Sequence, residues 1–138
     1  MLDYTVQAER LSSAGSVART KQAEVTLDTC LTGRDDAFNP AELLLAALSA
    51  CMLKGLERVA PMLRFQYENA AVRVQGWRQD SPPQMERIEY ILWLDTDESD
   101  RRMELVHENL RKFGTVFNTL AAGCNISGTV RRGRPEQS

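Results

Sequence analysis

The stretch that decides the fold is Asn39-Pro-Ala-Glu-Leu-Leu-Leu-Ala-Ala-Leu-Ser-Ala-Cys51. Asn39 is a good helix N-cap, because its side-chain oxygen can accept a hydrogen bond from a free backbone N–H of the first turn. Pro40 then falls at the first helical position, where its missing N–H costs nothing. Glu42 can reach back to the N–H of Asn39, which completes a capping box. A helix is therefore predicted to begin here.

The body of this helix is apolar on every side. From residue 43 to residue 53 nearly every position is Leu, Ala, Met or Cys, and such a helix lies in a core rather than at a surface. It is predicted to run to about Val59 and to end before Pro61. With charged residues following its apolar run, it is too short to span a membrane. One small sheet covers only one side of it, so we expect a second subunit, and hence a homodimer.

Alternating apolar and polar residues predict strands before and after this helix. The predicted strands are residues 4–11, 16–22, 23–28, 65–77, 87–95 and 125–131. Residues 80–84 are predicted to form a loop, because paired prolines do not fit a strand ladder. Two further helices are expected at residues 101–113 and 115–122, with Gly123 as a left-handed C-cap. The order βββ-α-ββ-αα-β predicts one α+β domain over residues 1–138, with a mostly antiparallel sheet and a disordered tail from about residue 132.

Composition narrows the function classes. The chain has 138 residues and a formal net charge of −2 with acids and bases interspersed, which argues against nucleic-acid and membrane-surface partners. The chain does not open with a signal-peptide pattern, so we expect a cytoplasmic protein. There the three cysteines, Cys30, Cys51 and Cys124, are expected to be reduced thiols. A single histidine and no Cys-x-x-Cys motif leave little to bind a metal, so no metal site is expected.

Cys51 is the leading candidate for chemistry. Its helix face is shared by small and aliphatic residues: Leu44, Ala47, Leu48 and Gly55. A buried thiol is inert unless a cation or backbone donors lower its pKa. Lys54 and Arg58 would do so if they turned inward, although such side chains more often reach solvent. The alternative is that Cys51 packs as a small hydrophobe, and the residues alone leave both interpretations open.

The other candidates are weaker. Glu42 lies roughly opposite Cys51 on the helix, so capping explains it better than catalysis. Cys124 follows Gly123 at a helix–strand junction, and Cys30 ends a strand, so both are expected to be structural. His107 falls one position off the apolar stripe of its helix and is expected at the surface or its rim.

The run of residues 38–51 closely resembles the first-cysteine helix of the OsmC/Ohr family of osmotically induced and organic hydroperoxide resistance proteins. The segment Gly114-Thr-Val-Phe-Asn-Thr-Leu120 is similar to the second-cysteine region of that family. The resemblance extends over about residues 4–130. It implies an intertwined α+β homodimer, in which mostly antiparallel sheets wrap around central buried helices and two sites lie at the subunit interface.

The resemblance also implies a chemistry. In the peroxidase members one thiolate attacks a peroxide oxygen and becomes a sulfenic acid. A second cysteine then condenses with it to a disulfide, which an external dithiol reduces. No metal or flavin is needed, so no cofactor is expected.

Transferred residue by residue, the family pattern is incomplete. Cys51 matches the peroxidatic cysteine. Gly114 stands where the resolving cysteine belongs, and Ala41 stands where the family has a catalytic glutamate directly after Asn-Pro. Cys124 is a substitute resolving partner if the fold brings it near.

The family also has a catalytic arginine in its first strands, for which Arg10 and Arg19 are both candidates. Three hypotheses follow. The first is a thiol-dependent organic hydroperoxide reductase, acting through Cys51 in oxidative stress defence with reduced activity. The second is a non-peroxidatic member that binds a small apolar or thiol-reactive ligand at the dimer interface. The third is a structural dimer in which Cys51 only packs.

Overall fold

The computed structural model describes residues 1–136 and shows an α+β fold with three helices and two small sheets. The elements are β1 (Gln7–Ser12), β2 (Gly15–Thr20), β3 (Ala23–Leu27), α1 (Pro40–Leu63), β4 (Asn69–Asp80), β5 (Pro83–Asp95), α2 (Asp100–Phe113), α3 (Thr115–Ala121) and β6 (Asn125–Arg132). The predicted order βββ-α-ββ-αα-β is confirmed. The chain divides into two compact units, residues 1–44 and the residues from 45 onward.

The first unit contains an antiparallel sheet in the order β1-β2-β3. Residues 15–18 of the central strand β2 are buried, whereas β1 is exposed along its length. The loop after β3 is organised by the buried Asp28, whose carboxylate accepts from the backbone N–H of Cys30 at 3.1 Å and of Arg34 at 3.1 Å.

The predicted capping box at the start of α1 is confirmed. The N–H of Glu42 donates to Asn39 Oδ1 at 2.8 Å, and the N–H of Asn39 donates to Glu42 Oε1 at 3.0 Å. Two backbone donors that a helix start leaves without partners are thereby satisfied.

The predicted end of α1 before Pro61 was wrong, because the helix continues through Pro61 to Leu63. It ends in a Schellman motif, in which Phe65 N–H donates to Ala60 O at 2.8 Å and Arg64 N–H to Pro61 O at 3.2 Å. Arg64 takes the left-handed conformation, with φ of 51°. Burial of Ala60 and Phe65 accompanies these bonds and keeps the chain helical past the proline.

The second unit contains a sheet in the order β4-β5-β6. The β4 and β5 strands are antiparallel, whereas β6 runs parallel to β5, a pairing that the α2–α3 crossover makes possible. The loop predicted at residues 80–84 is shorter than expected, because Pro83 is the first residue of β5 and pairs with Asp80. A proline is tolerated at that position of a strand. Strand β4 begins at Asn69 rather than at residue 65, because Phe65 closes the end of α1.

The core of the second unit lies between one face of α1, the inner face of the sheet and α2. The largest fully buried side chains are Leu48, Leu56, Ile88, Leu92, Leu94 and Val106. The opposite face of α1 is open in the single chain, where Ala47, Ala50 and Leu53 are exposed. The apolar surface that the sequence predicted on all sides of this helix is therefore buried on one side only.

Two features at the end of the chain differ from expectation. Gly123 does not adopt the left-handed conformation; its N–H and that of Cys124 both donate to Leu120 O at 3.0 Å, so the turn stays right-handed. Ordered contacts also continue past residue 132, since Gly133 N–H donates to Leu94 O and Arg134 Nε contacts Asp95 Oδ2 at 2.7 Å. Residues 137 and 138 of the predicted tail lie outside the described residues.

Candidate functional site

Cys51 and Gly114, which the sequence paired only through resemblance, lie against each other in the second unit. Gly114 joins α2 to α3, is buried, and acts as the N-cap of α3. A Cβ atom built on Gly114 would lie 3.1 Å from Cys51 Sγ. It would also lie 3.0 Å from Leu110 O and 3.2 Å from Phe117 Cβ. The half-buried Cys51 sulfur therefore packs against the corner between α2 and α3.

One distance of this contact matches that of a disulfide. An S–S bond of about 2.04 Å places the Cβ of one cysteine roughly 3 Å from the sulfur of the other. The Gly114 position meets that distance to Cys51 Sγ, but glycine supplies no thiol.

The helix around Cys51 is apolar on its inner side. Leu48 and Gly55 are buried, Leu44 is half-buried and Ala47 is exposed. A Cβ on Gly55 would lie 3.0 Å from Leu110 Cδ2, so α2 approaches α1 closely one turn beyond Cys51. Lys54 and Arg58, the two cations that could have lowered the pKa of a buried thiol, are both exposed. This is expected for long charged side chains.

The other two thiols have different surroundings. Cys124 is half-buried and donates to Leu120 O at 3.3 Å, and burial raises its pKa. Between Gly114 and Cys124 lies α3, whose seven residues span about 10 Å. Cys30 lies in the first unit, where a hydrogen bond with the Thr32 hydroxyl lowers the pKa of the thiol. All three thiols are free in the part of the chain that the structure describes.

The two candidate arginines of the first unit lie on opposite faces of its sheet. Arg10 is paired in register with Ser16 and Arg19 with Gln7, an odd separation along β1 that places them on different sides. Arg19 binds Glu9 at 2.7 Å and Glu24 at 2.9 Å, and these hydrogen bonds raise its pKa. A ligand on one side of this sheet would therefore meet Arg10 or Arg19, not both.

The residues after Asn39 are placed as the sequence predicted. Ala41 is exposed in the first turn of α1, and the carboxylate of Glu42 is held in the capping box.

The family model described as OsmC-like protein matches residues 33–128. This chain belongs to the OsmC-like family. The OsmC-like protein from Mycoplasma pneumoniae is similar in structure with a TM-score of 0.87, at 21% identity, over 96% of this chain and 99% of that chain. An organic hydroperoxide resistance protein from Elizabethkingia anophelis gives 0.75, at 18% identity, over 96% and 99%. These likenesses show the OsmC-like fold. No curated protein matches the chain.

An organic hydroperoxide resistance protein OsmC from Legionella pneumophila, also described as a predicted redox protein, gives a TM-score of 0.73 at 16% identity, over 94% of this chain and 98% of that chain. Over residues 1–136, none of the helices has the length and apolarity needed to cross a membrane. Within the same residues, side chains of His, Cys, Asp and Glu form no group of three or more that could hold a metal ion.

Sequence reasoning missed a buried polar network in this OsmC-like protein. The Tyr90 hydroxyl lies 2.6 Å from His107 Nε2, and both side chains are buried. Glu104 Oε2 lies 3.6 Å from His107 Nδ1, beyond hydrogen-bond distance. Gly128 leaves room for the Tyr90 ring, because a Cβ there would collide with it.

The expected surface position of His107 was wrong, since the side chain is buried. The hydrogen bond with Tyr90 compensates for the hydrogen bonds to water that the imidazole loses on burial. Burial lowers the pKa of His107 and raises the pKa of Tyr90, so both groups are neutral near pH 7. One signal was available in the sequence, since Tyr90 interrupts the apolar face formed by Ile88, Leu92 and Leu94.

Arg111 extends this network toward the α2–α3 corner. Its Nη1 lies 3.5 Å from the Tyr90 hydroxyl and its Nη2 lies 3.4 Å from Ile126 O. Its guanidinium lies 4.9 Å from the ring centroid of Phe117. One half-buried arginine of α2 thus contacts β5, β6 and α3.

Proposed function

We propose that this OsmC-like protein reduces organic hydroperoxides through Cys51 in oxidative stress defence, using external thiols as the electron source. The observation that carries the proposal is the contact of Cys51 Sγ with the Gly114 position, at 3.1 Å from a Cβ there. Similar solved structures are described as organic hydroperoxide resistance proteins, which supports the choice of substrate class.

The reaction needs no group beyond thiols. The Cys51 thiolate attacks the peroxide oxygen distal to the organic group, the O–O bond breaks, and the organic fragment leaves as an alcohol after taking a proton. Cys51 then carries a sulfenic acid. One external thiol condenses with it, releasing water and leaving a mixed disulfide. A second thiol displaces Cys51, which returns to its reduced form.

The reductant proposed here is a dithiol, since one such molecule supplies both thiols. Cys124 is the internal alternative. Its raised pKa and its bond to Leu120 O both reduce the thiolate available for attack. With glycine at position 114 that position supplies no resolving thiol, so we propose turnover slower than that of two-cysteine peroxidases.

We also propose a cytoplasmic homodimer. The open face of α1, with Leu53 exposed, and the exposed Met62 near its end offer apolar surface for a second copy. A second subunit would bury this surface, and burial of apolar area stabilises an interface.

The test has two parts. Stopped-flow kinetics measure the oxidation of the reduced protein by cumene hydroperoxide, and steady-state assays measure the peroxide-dependent consumption of a dithiol such as dithiothreitol. We expect saturable peroxide reduction that is lost in Cys51→Ser and retained in Cys124→Ser. Loss in Cys124→Ser with retained folding would instead make Cys124 the resolving partner. If the wild-type protein reacts no faster than free cysteine, the peroxidase proposal fails.

Gly114→Cys is the sharpest variant for the site itself. A cysteine at this position is expected to form a disulfide with Cys51 after one equivalent of peroxide. The disulfide is detected as a change in electrophoretic mobility under non-reducing conditions and as a decrease in mass by two hydrogen atoms. Gly123→Cys, with no atom within 4 Å of its Cβ position, is the matched control and is expected to form none.

The second candidate function is binding of a small apolar or thiol-reactive ligand, and the missing thiol at Gly114 is the observation that favours it. A protein inert to peroxide that still forms the disulfide in Gly114→Cys with a chemical oxidant would support this alternative.

A further inference from the structure

The corner between α2 and α3 forms one wall of the Cys51 site, and Phe117 of α3 anchors it in the core. The point where a Cβ on Gly114 would lie is 3.1 Å from Cys51 Sγ and 3.2 Å from Phe117 Cβ, so both atoms border the same small space. Close packing of this kind leaves no slack, so a small shift of the corner changes the surroundings of the Cys51 sulfur.

We propose that Arg111 is the positioning residue of the Cys51 site, because it fastens the α2–α3 corner to the sheet. It lies in the last turn of α2, where a cation is stabilised by the helix dipole. Its guanidinium contacts the Tyr90 hydroxyl on β5 and Ile126 O on β6, and it lies over the ring of Phe117 on α3.

The contact with Phe117 is the step that connects Arg111 to the site. A guanidinium at 4.9 Å from an aromatic centroid is attracted to the ring face. The same Phe117 has its Cβ 3.2 Å from the Cβ position of Gly114, which in turn meets Cys51 Sγ. Phe117 Cβ and Cys51 Sγ thus border the same point beside Gly114, and through Phe117 Arg111 acts on the surroundings of the Cys51 sulfur.

The far side of Arg111 is anchored by the buried pair of Tyr90 and His107. The Tyr90 hydroxyl is held at 2.6 Å from His107 Nε2, and its ring is seated on Gly128 of β6. The arginine thus connects the buried pair of Tyr90 and His107 to the corner that faces the thiol.

Arg102 provides a matched control on the same helix. It is also half-buried, and it binds Glu98 at 2.8 Å and Leu63 O at 2.6 Å. It lies nine positions before Arg111, or about 13 Å along α2. Loss of Arg102 removes a comparable set of bonds from the other end of the helix.

The experiment compares Arg111→Met, Arg111→Lys and Arg102→Met in a background with Cys30→Ser and Cys124→Ser, so that Cys51 is the only thiol. Alkylation of Cys51 is timed with small iodoacetamide and with a bulky fluorescein maleimide across a pH series. Thermal unfolding is measured for every variant. This readout needs no peroxidase activity, and only its link to turnover rests on the proposed function.

We expect Arg111→Met to raise the ratio of bulky to small reagent rates several-fold, because the corner moves away from the thiol. Arg111→Lys restores part of the wild-type ratio, since it keeps the charge over Phe117. Arg102→Met lowers the unfolding temperature but leaves the ratio and its pH profile unchanged. Equal ratios in Arg111→Met and wild type, or equal changes in Arg111→Met and Arg102→Met, would overturn the proposal.

If the wild-type protein also reduces cumene hydroperoxide, Arg111→Met is expected to lower that rate well below the rate of Arg102→Met at equal folded fraction. A wild-type protein without peroxidase activity that still shows the alkylation effect would reject the proposed function and keep Arg111 as the positioning residue.

Discussion

At the scale of single residues, the pair of Tyr90 and His107 shows what a buried polar group needs. Each side chain loses hydrogen bonds to water on burial. The 2.6 Å hydrogen bond between the two side chains replaces one of these bonds for each of them. Burial keeps the imidazole neutral, since its pKa is lowered. A single histidine inside a small core thereby ties stability to pH.

The chain is expected to lose stability as the pH falls below about 6.5, the unfolded-state pKa of histidine. Because the folded pKa of His107 is lower than the unfolded value, its contribution is fully present above that pH. It is lost as the pH falls toward the folded pKa, since the unfolded state then binds more protons. Urea unfolding at about pH 7.5 and about pH 5.5 measures the difference, with the window set by the titration of histidine.

The control is His107→Gln, which is expected to flatten this pH dependence because the chain has no other histidine. Tyr90→Phe is expected to cost about 1–3 kcal/mol at the higher pH, because it leaves Nε2 buried without a partner. A wild-type stability that is flat over this pH range would contradict the lowered pKa.

Residue-level prediction from the sequence was uneven for a physical reason. The helix that carries Cys51 was predictable because its capping box and its apolar run are local signals. The burial of His107 was not, because its partner Tyr90 lies on another element and only folding brings the two together. The contact between Cys51 and Gly114 was suggested by resemblance and required the structure for its distance.

At the scale of elements, the local signals at the start of α1 were reliable, whereas the local signals at Gly123 and at the paired prolines were not. The capping box that starts α1 is formed within four consecutive residues, and the sequence predicted it correctly. The end of α1 and the parallel placement of β6 depend on burial and on a distant strand, so periodicity alone could not give them.

Asn39→Ala is expected to destabilise the chain by about 1 kcal/mol, because the first turn of α1 loses its capping acceptor. Glu42→Gln keeps an oxygen acceptor for the Asn39 N–H and is expected to have a smaller effect. Chemical denaturation measures both changes. The same pair tests the role of Glu42: a large loss of peroxide reduction in Glu42→Gln at unchanged stability would mean that its carboxylate does more than cap.

At the scale of the whole molecule, the exposed apolar surface of α1 is the main feature that one chain leaves unexplained. The side chain of Leu53 is 38% exposed and that of Met62 is 75% exposed. The composition of this helix indicated such surface from the sequence, but which side would be covered by the chain itself depended on how the sheet packs.

Leu53→Glu is expected to convert the proposed dimer into a monomer, because a charge buried in an apolar interface without a partner is costly. Light scattering after gel filtration should give twice 15.5 kDa for the wild-type protein and 15.5 kDa for the variant. Leu105→Glu, at a position on α2 with a matched exposure of 39%, is the control and is expected to remain dimeric. A wild-type protein that elutes as a monomer at micromolar concentration would contradict the dimer.

The parallel pairing of β5 with β6 has a consequence for synthesis of the chain on the ribosome. Strand β5 finds its partner β4 at once across a short turn, but its other edge waits until residues 96–124 and then β6 have emerged. At about 5–20 residues per second this interval lasts on the order of seconds. An unpaired strand edge is a template for pairing with other chains, so the growing polypeptide is most vulnerable to aggregation at the outer edge of β5 during those seconds.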